Sequence, residues 1–218
     1  MTKLLKAVVF DVDGTLTEVE SSWQFLHQQL GTWDRGKQYA EQFSQGVISY
    51  EKWAQLDASL WSGVSIETVQ EIICRIPYMK GVKDVLATLK KEGLKTILLS
   101  AGLSLLTERI KREIEVDDCL ANELVVKDGF LTGEVEVNVS VLNKDITLHR
   151  ILQKMDVAMF ECAAVGDDET MIPLFKRVSL GIAFNPCKNL VEQCADVVVK
   201  GDDIRGVLPY LLHRQKGK

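Results

Sequence analysis

The chain has 218 residues, a net charge of −5 and 46% hydrophobic residues, enough to bury one sizeable core with room for a small inserted unit. Basic residues do not outnumber acids and form no long block, which argues against nucleic acid as a partner, and no run reaches the roughly 18 apolar residues of a membrane span. The N-terminal apolar run is too short for a signal peptide, so the expectation is a cytoplasmic protein whose cysteines (Cys74, Cys119, Cys162, Cys187 and Cys194), without C-x-x-C spacing, are reduced and buried thiols.

Ala7 to Phe10 form a continuous apolar run, as in a parallel strand covered on both faces, and the run ends in Asp11-Val12-Asp13-Gly14. From Glu18 to about Tyr78 the pattern is helical. Val69, Ile72, Ile73 and Ile76 make one face behind a cap at Ser65, with Pro77 as the stop, and similar stripes follow Ser22 and Ser49. All four tryptophans (Trp23, Trp33, Trp53 and Trp61) fall in this stretch, either as the large side chains a small bundle needs or as an apolar lid over a site. After Gly81 strands and helices alternate. A helix carries Val82, Val85, Leu86 and Leu89, a strand runs from Leu94 to Leu99, and a helix runs from about Leu103 to Arg112. Asp128-Gly129 then hinges a β-hairpin. Helices are expected over 143–155, 170–177, 188–194 and from Ile204, with strands over 162–165, 179–183 and 196–199, and a frayed tail over 214–218. The fold class is therefore α/β: a parallel Rossmann-like sheet with helices on both faces, a β-hairpin, and a small helical cap inserted after the first strand. Residues 1–16 and 80–218 would form the core domain and 17–79 the cap.

Four strand ends carry chemistry. In extended chain, residues i and i+2 share a face, so Asp11 and Asp13 point into one small volume, where like charges raise one another's pKa or require a cation. Magnesium suits paired carboxylates beside a phosphate; the alternative is a plain surface turn. Ser100-Ala101-Gly102 ends the second strand before a helix, which makes either an anion site or a simple N-cap. Lys144 sits at a helix start, where a cation opposes the dipole, and is either a solvated lysine or a counter-charge to a phosphoryl group. Asp167-Asp168-Glu169 follows a buried strand, where an N-cap accounts for one acid and the helix dipole for another, and a metal ion would account for so much negative charge facing Asp11 and Asp13. His27, His149 and His213 lie in helical segments without metal spacing and read as packing or solvated residues; Asp117-Asp118 and Asp202-Asp203 read as turn and capping acids.

In this order, D-V-D-G-T, S-A-G, Lys144 and V-G-D-D resemble the four motifs of the haloacid dehalogenase superfamily of aspartate-dependent phosphohydrolases, and the helical insert with the hairpin resembles its phosphoserine phosphatase branch. The resemblance implies a magnesium-dependent phosphatase of a small phosphorylated metabolite, a monomer or homodimer, working through an aspartyl-phosphate. It implies Asp11 as nucleophile and Asp13 as acid and base. Metal would be held by Asp11, Asp13 (through its carbonyl) and Asp167, with Asp168 beside it or in the outer shell. The phosphoryl would be gripped by Ser100, Ala101, Gly102 and Lys144, and Glu20 would meet substrate from the cap. Two departures stand out: Thr170 and Met171 replace the Asn and Asp of the fourth motif, and Asp57 stands near the place of a substrate-binding arginine, a job Arg35 or Arg75 could take instead. The alternatives are a catalytically impaired phosphate- and metal-binding regulator, or a phosphotransferase or mutase on the same scaffold.

Overall fold

The computed structural model describes residues 4–213; the expected frayed tail lies outside them. A seven-stranded sheet has the order β4-β3-β2-β1-β5-β6-β7, built from β1 (Ala7–Phe10), β2 (Lys95–Leu103), β3 (Asp118–Lys127), β4 (Phe130–Glu136), β5 (Cys162–Gly166), β6 (Leu180–Phe184) and β7 (Val197–Val199). Every pair is parallel except the β3–β4 hairpin, whose turn has Asp128 at φ 52° and Gly129 at φ 84°, the left-handed pair an Asp-Gly turn accommodates.

β1 lies at the centre because both faces of it are apolar. Val8 and Phe10 join one hydrophobic cluster, Ala7 and Val9 the other. The first cluster gathers α5 (Val82–Lys91), α6 (Ser104–Glu113) and α10 (Leu208–His213); the second gathers α7 (Lys144–Lys154), α8 (Ile172–Phe175) and α9 (Asn189–Cys194). The chain builds outward from β1 through β2 and β3, then crosses back to place β5 on β1's other side. That reversal opens a crevice at the carboxyl ends of the central strands, the usual ligand position in such sheets.

Between β1 and α5 come α1 (Ser22–Gln29), α2 (Trp33–Ser44), α3 (Tyr50–Ser59) and α4 (Ile66–Cys74). Ser49 and Ser65 cap α3 and α4 as their spacing predicts, but α1 is capped by Ser21 rather than Ser22. The entering and leaving strands of this insert run side by side, with Met79 N–H donating to the Leu16 carbonyl at 2.9 Å and Glu18 N–H to that of Pro77 at 3.1 Å. The insert also leans on the hairpin through backbone bonds from Gly63 to Leu131, Leu131 to Val64 and Ile66 to Gly129. Its apolar side chains, among them Trp23, Leu26, Trp61 and Val69, share the cluster of Val8 and Phe10.

Two expectations need correction. Only Cys162 among the cysteines is buried; Cys74 and Cys187 are exposed and Cys119 and Cys194 half-buried, and all five are free thiols. Apolar neighbours in sequence did not report burial because Cys74 and Cys194 end helices, Cys187 lies in a loop and Cys119 near the start of β3, where the side facing solvent is set by tertiary packing. The second difference concerns β2, which continues through Ser100, Ala101 and Gly102 to Leu103 rather than stopping before them, because Leu103 still pairs with Asn122 of β3 across a register shift.

Candidate active site

The carboxyl ends of β1, β2 and β5 and the first turn of α7 border one cavity of about 220 Å³, also lined by the insert's Glu20, Ser21, Trp23, Tyr50 and Trp53. Asp11, Asp13, Ser100, Ala101, Gly102, Lys144, Asp167, Asp168 and Thr170 all border it, so the strand-end candidates and Glu20 meet here. The lysine is fully sequestered: its ammonium stands 2.5 Å from Asp11 Oδ2, with the thioether of Met171 at 3.8 Å. The other Asp11 oxygen accepts from Val12 N–H at 2.8 Å.

Asp13 is fixed by Ser22, whose hydroxyl donates to Oδ2 at 2.8 Å and accepts from Leu103 N–H at 3.1 Å. Its Oδ1 is buried without a hydrogen-bond partner. Asp167 Oδ1 accepts from Thr15 at 2.6 Å. Two glycines permit this crowding. A Cβ at Gly14, which has φ +72°, would fall on Asp167, and one at Gly102 would fall on Asp13 Oδ2, with Ser22 Oγ at 2.6 Å and Ser100 Oγ at 3.0 Å. The Ser100 hydroxyl in turn accepts from Gly102 N–H at 2.9 Å.

The acids outnumber the cation, and their titration reflects it. Burial pushes Asp13 up to about 6, and burial followed by the charge of Asp11 pushes Asp167 up to about 8. Burial also raises Asp11 against the pull of Lys144. The Lys144 ammonium loses solvation on burial, yet Asp11 and Asp168 still hold it above its ordinary value. A lysine among several carboxylates stays charged while the carboxylates compete for protons.

Asp168 is the capping acid: its Oδ1 accepts from Thr170 N–H at 3.0 Å and Thr170 Oγ1–H at 2.5 Å. Glu169 turns away to pair with Lys188. Among the described residues no three His, Cys, Asp or Glu side chains gather as a metal cage, so a cation here would need backbone or substrate oxygens beside the carboxylates. Asp57 does not reach the cavity. It is 2% exposed and faces His27, whose Nε2 lies 3.2 Å away; His27 Nδ1 contacts Thr32 Oγ1 at 2.7 Å and its ring packs on Trp61. Arg35 and Arg75 are exposed and do not border the cavity either.

Sequence reasoning missed the fastening of the second loop. The Ala101 carbonyl accepts from Trp23 Nε1–H at 3.1 Å, Tyr50 O–H at 2.7 Å and Asn122 Nδ2–H at 2.8 Å. Asn122 is fully buried, and its Oδ1 accepts from Asn138 and Val139 N–H, both at 2.9 Å. A polar residue in an otherwise mixed strand was the sole available signal, and it named no partner.

The chain matches the family model for haloacid dehalogenase-like hydrolase over residues 8–176, and it belongs to that family. It is 31% identical to phosphoserine phosphatase of Methanocaldococcus jannaschii over 212 residues, 97% of this chain and 100% of the relative. To the enzyme of that name from Archaeoglobus fulgidus it is 29% identical, over 94% of this chain and 60% of the relative. Among solved structures, a phospho-aspartyl intermediate analogue of phosphoserine phosphatase superimposes with a TM-score of 0.83 at 29% identity, covering 96% of this chain and 100% of that one. A substrate-bound phosphoserine phosphatase gives 0.83 at 28%, with 96% and 99% covered. The chain is accordingly a phosphoric monoester hydrolase, a phosphatase that works through a phospho-aspartyl intermediate. No helix among the described residues is long and apolar enough to cross a membrane.

Proposed function

We propose that Asp11 is the nucleophile and Asp13 the acid and base of a magnesium-dependent phosphatase for a small phosphomonoester, with 17–79 acting as a cap over the site. The supporting observation is the 2.5 Å contact of Lys144 with Asp11, made in the same cavity as Asp13 and Asp167 by residues from three separate parts of the chain. A cavity of about 220 Å³ lies below the ~300–1,000 Å³ of sites for drug-sized ligands, which favours a short alcohol over a nucleotide.

An Asp11 oxygen attacks phosphorus and the bond from phosphorus to the alcohol oxygen breaks. Asp13, which burial lifts to about 6 so that about a tenth of the molecules carry its proton at pH 7, gives that proton to the departing oxygen. The same carboxylate then takes a proton from water, which attacks phosphorus and frees Asp11 with release of inorganic phosphate. Lys144, held on Asp11, and the Ser100–Gly102 stretch border the same cavity and would meet the phosphoryl oxygens, so charge is matched before the reaction begins. The buried unpartnered Asp13 oxygen and the lifted Asp167 mark surplus negative charge, and all-oxygen donors suit magnesium. The carboxylates of Asp11 and Asp167 and the carbonyl of Asp13 would hold it, with Asp168 outside them. Bound there, the ion supplies charge neutralisation at a phosphoryl oxygen.

Replacing Asp11→Asn removes the nucleophile while keeping the shape. Phosphate release from p-nitrophenyl phosphate with Mg2+ should fall by more than about 1,000-fold with unchanged circular dichroism. A variant within tenfold of the parent would exclude this nucleophile.

A further inference from the structure

We infer that the leaving alcohol carries an ammonium group and no carboxylate, so that the substrate class is phosphate esters of short amino alcohols; this rests on the phosphatase reading above. Five acids border the cavity (Asp11, Asp13, Glu20, Asp167 and Asp168) against one cation, Lys144, which is committed to Asp11. Among the described residues no arginine borders it. A phosphoryl dianion and a divalent cation largely cancel one another, leaving the alcohol half of the substrate in the field of the remaining acids. A carboxylate there would be desolvated with no counter-charge, whereas an ammonium would be welcomed.

The insert's wall is built for the same sign. Glu20 is exposed, makes no ion pair or hydrogen bond among the described residues, and borders the cavity from the insert. Beside it stand Trp23, Tyr50 and Trp53. Trp53 has one ring face stacked on Phe43 at 4.8 Å and Tyr50 edge-on at 5.7 Å; Trp23 is stacked on Trp61 at 5.5 Å. These stacks hold the indoles in place beside the cavity. Rigid aromatic rings with an unpaired carboxylate form the environment in which ammonium and quaternary ammonium groups bind. Asp57 does not border the cavity and faces His27 inside the insert, so it offers a substrate carboxylate no partner there.

The decisive comparison is ethanolamine phosphate against L-phosphoserine, which differ by one carboxylate. Ethanolamine phosphate should show a kcat/KM at least about tenfold higher, and Glu20→Gln should lower its kcat/KM relative to that of p-nitrophenyl phosphate. Equal or greater activity on phosphoserine would overturn the inference and leave the phosphatase reading standing. Absence of phosphate release from every ester, p-nitrophenyl phosphate included, would instead strike at that reading. In that event calorimetric titration of the Asp11→Asn protein with each ligand, Mg2+ present, still decides the class. Binding of ethanolamine phosphate about tenfold tighter supports it, and equal or reversed affinities refute it.

Discussion

Gly102→Ala isolates one steric demand of the active site. The backbone there is not in the left-handed region, so alanine meets no conformational penalty, and the added methyl is the whole perturbation. That methyl would fall on Asp13 Oδ2 and lie 2.6 Å from Ser22 Oγ and 3.0 Å from Ser100 Oγ. Ordinary packing needs about 3.5 Å, so Asp13 or the loop must withdraw by roughly 1 Å. Overpacking of this kind costs about 1–3 kcal/mol of stability, and a 1 Å displacement of a catalytic group costs about 100-fold in rate, equivalent to about 2.7 kcal/mol of barrier. The expected result is a kcat/KM on p-nitrophenyl phosphate down about 100-fold, with the protein still folded by thermal melting. A variant within about threefold of the parent would show that neither Asp13 nor the loop depends on that contact, and the assignment of Asp13 would lose its geometric basis.

Two further predictions concern charge. Asp167 at about 8 and Asp13 at about 6 both lie above the ordinary 3.8, so the native metal-free state binds more protons than the unfolded chain between those values. This cluster's contribution to stability therefore falls as pH rises from about 4 to 8, and the increase in melting temperature on adding Mg2+ should grow over the same interval; an Mg2+ shift that is flat or shrinks with pH would contradict it. His27→Ala leaves the Asp57 carboxylate buried, and urea unfolding should register a loss of about 3–5 kcal/mol. A loss under about 1 kcal/mol would mean that the 3.2 Å pair contributes little.

The sequence was most legible where chemistry interrupts an apolar pattern. Asp11 and Asp13 end a strand with no polar residue in it, and Lys144 opposes a helix dipole; both anomalies lead to the cavity. The Asp128-Gly129 turn was readable because its chemistry is local. What stayed hidden was long-range pairing between unremarkable residues. Ser21 and Ser22 are equivalent caps on paper, and only the position of β2 decides that Ser21 caps while Ser22 bridges Asp13 to Leu103. The three donors on the Ala101 carbonyl come from positions 23, 50 and 122, separations at which pattern carries no information. Likewise, the third acid of Asp167-Asp168-Glu169 is set apart by Lys188, from the loop before α9.

Two of those three donors on Ala101 ride on the helices and the third on the sheet. An outward swing of the helices would surrender the indole and phenol bonds together, while Asn122 stays behind and keeps the carbonyl from being stranded dry. The wall and the seat thus share one fastening: any displacement that parted the helices from the sheet would slacken the chair as well.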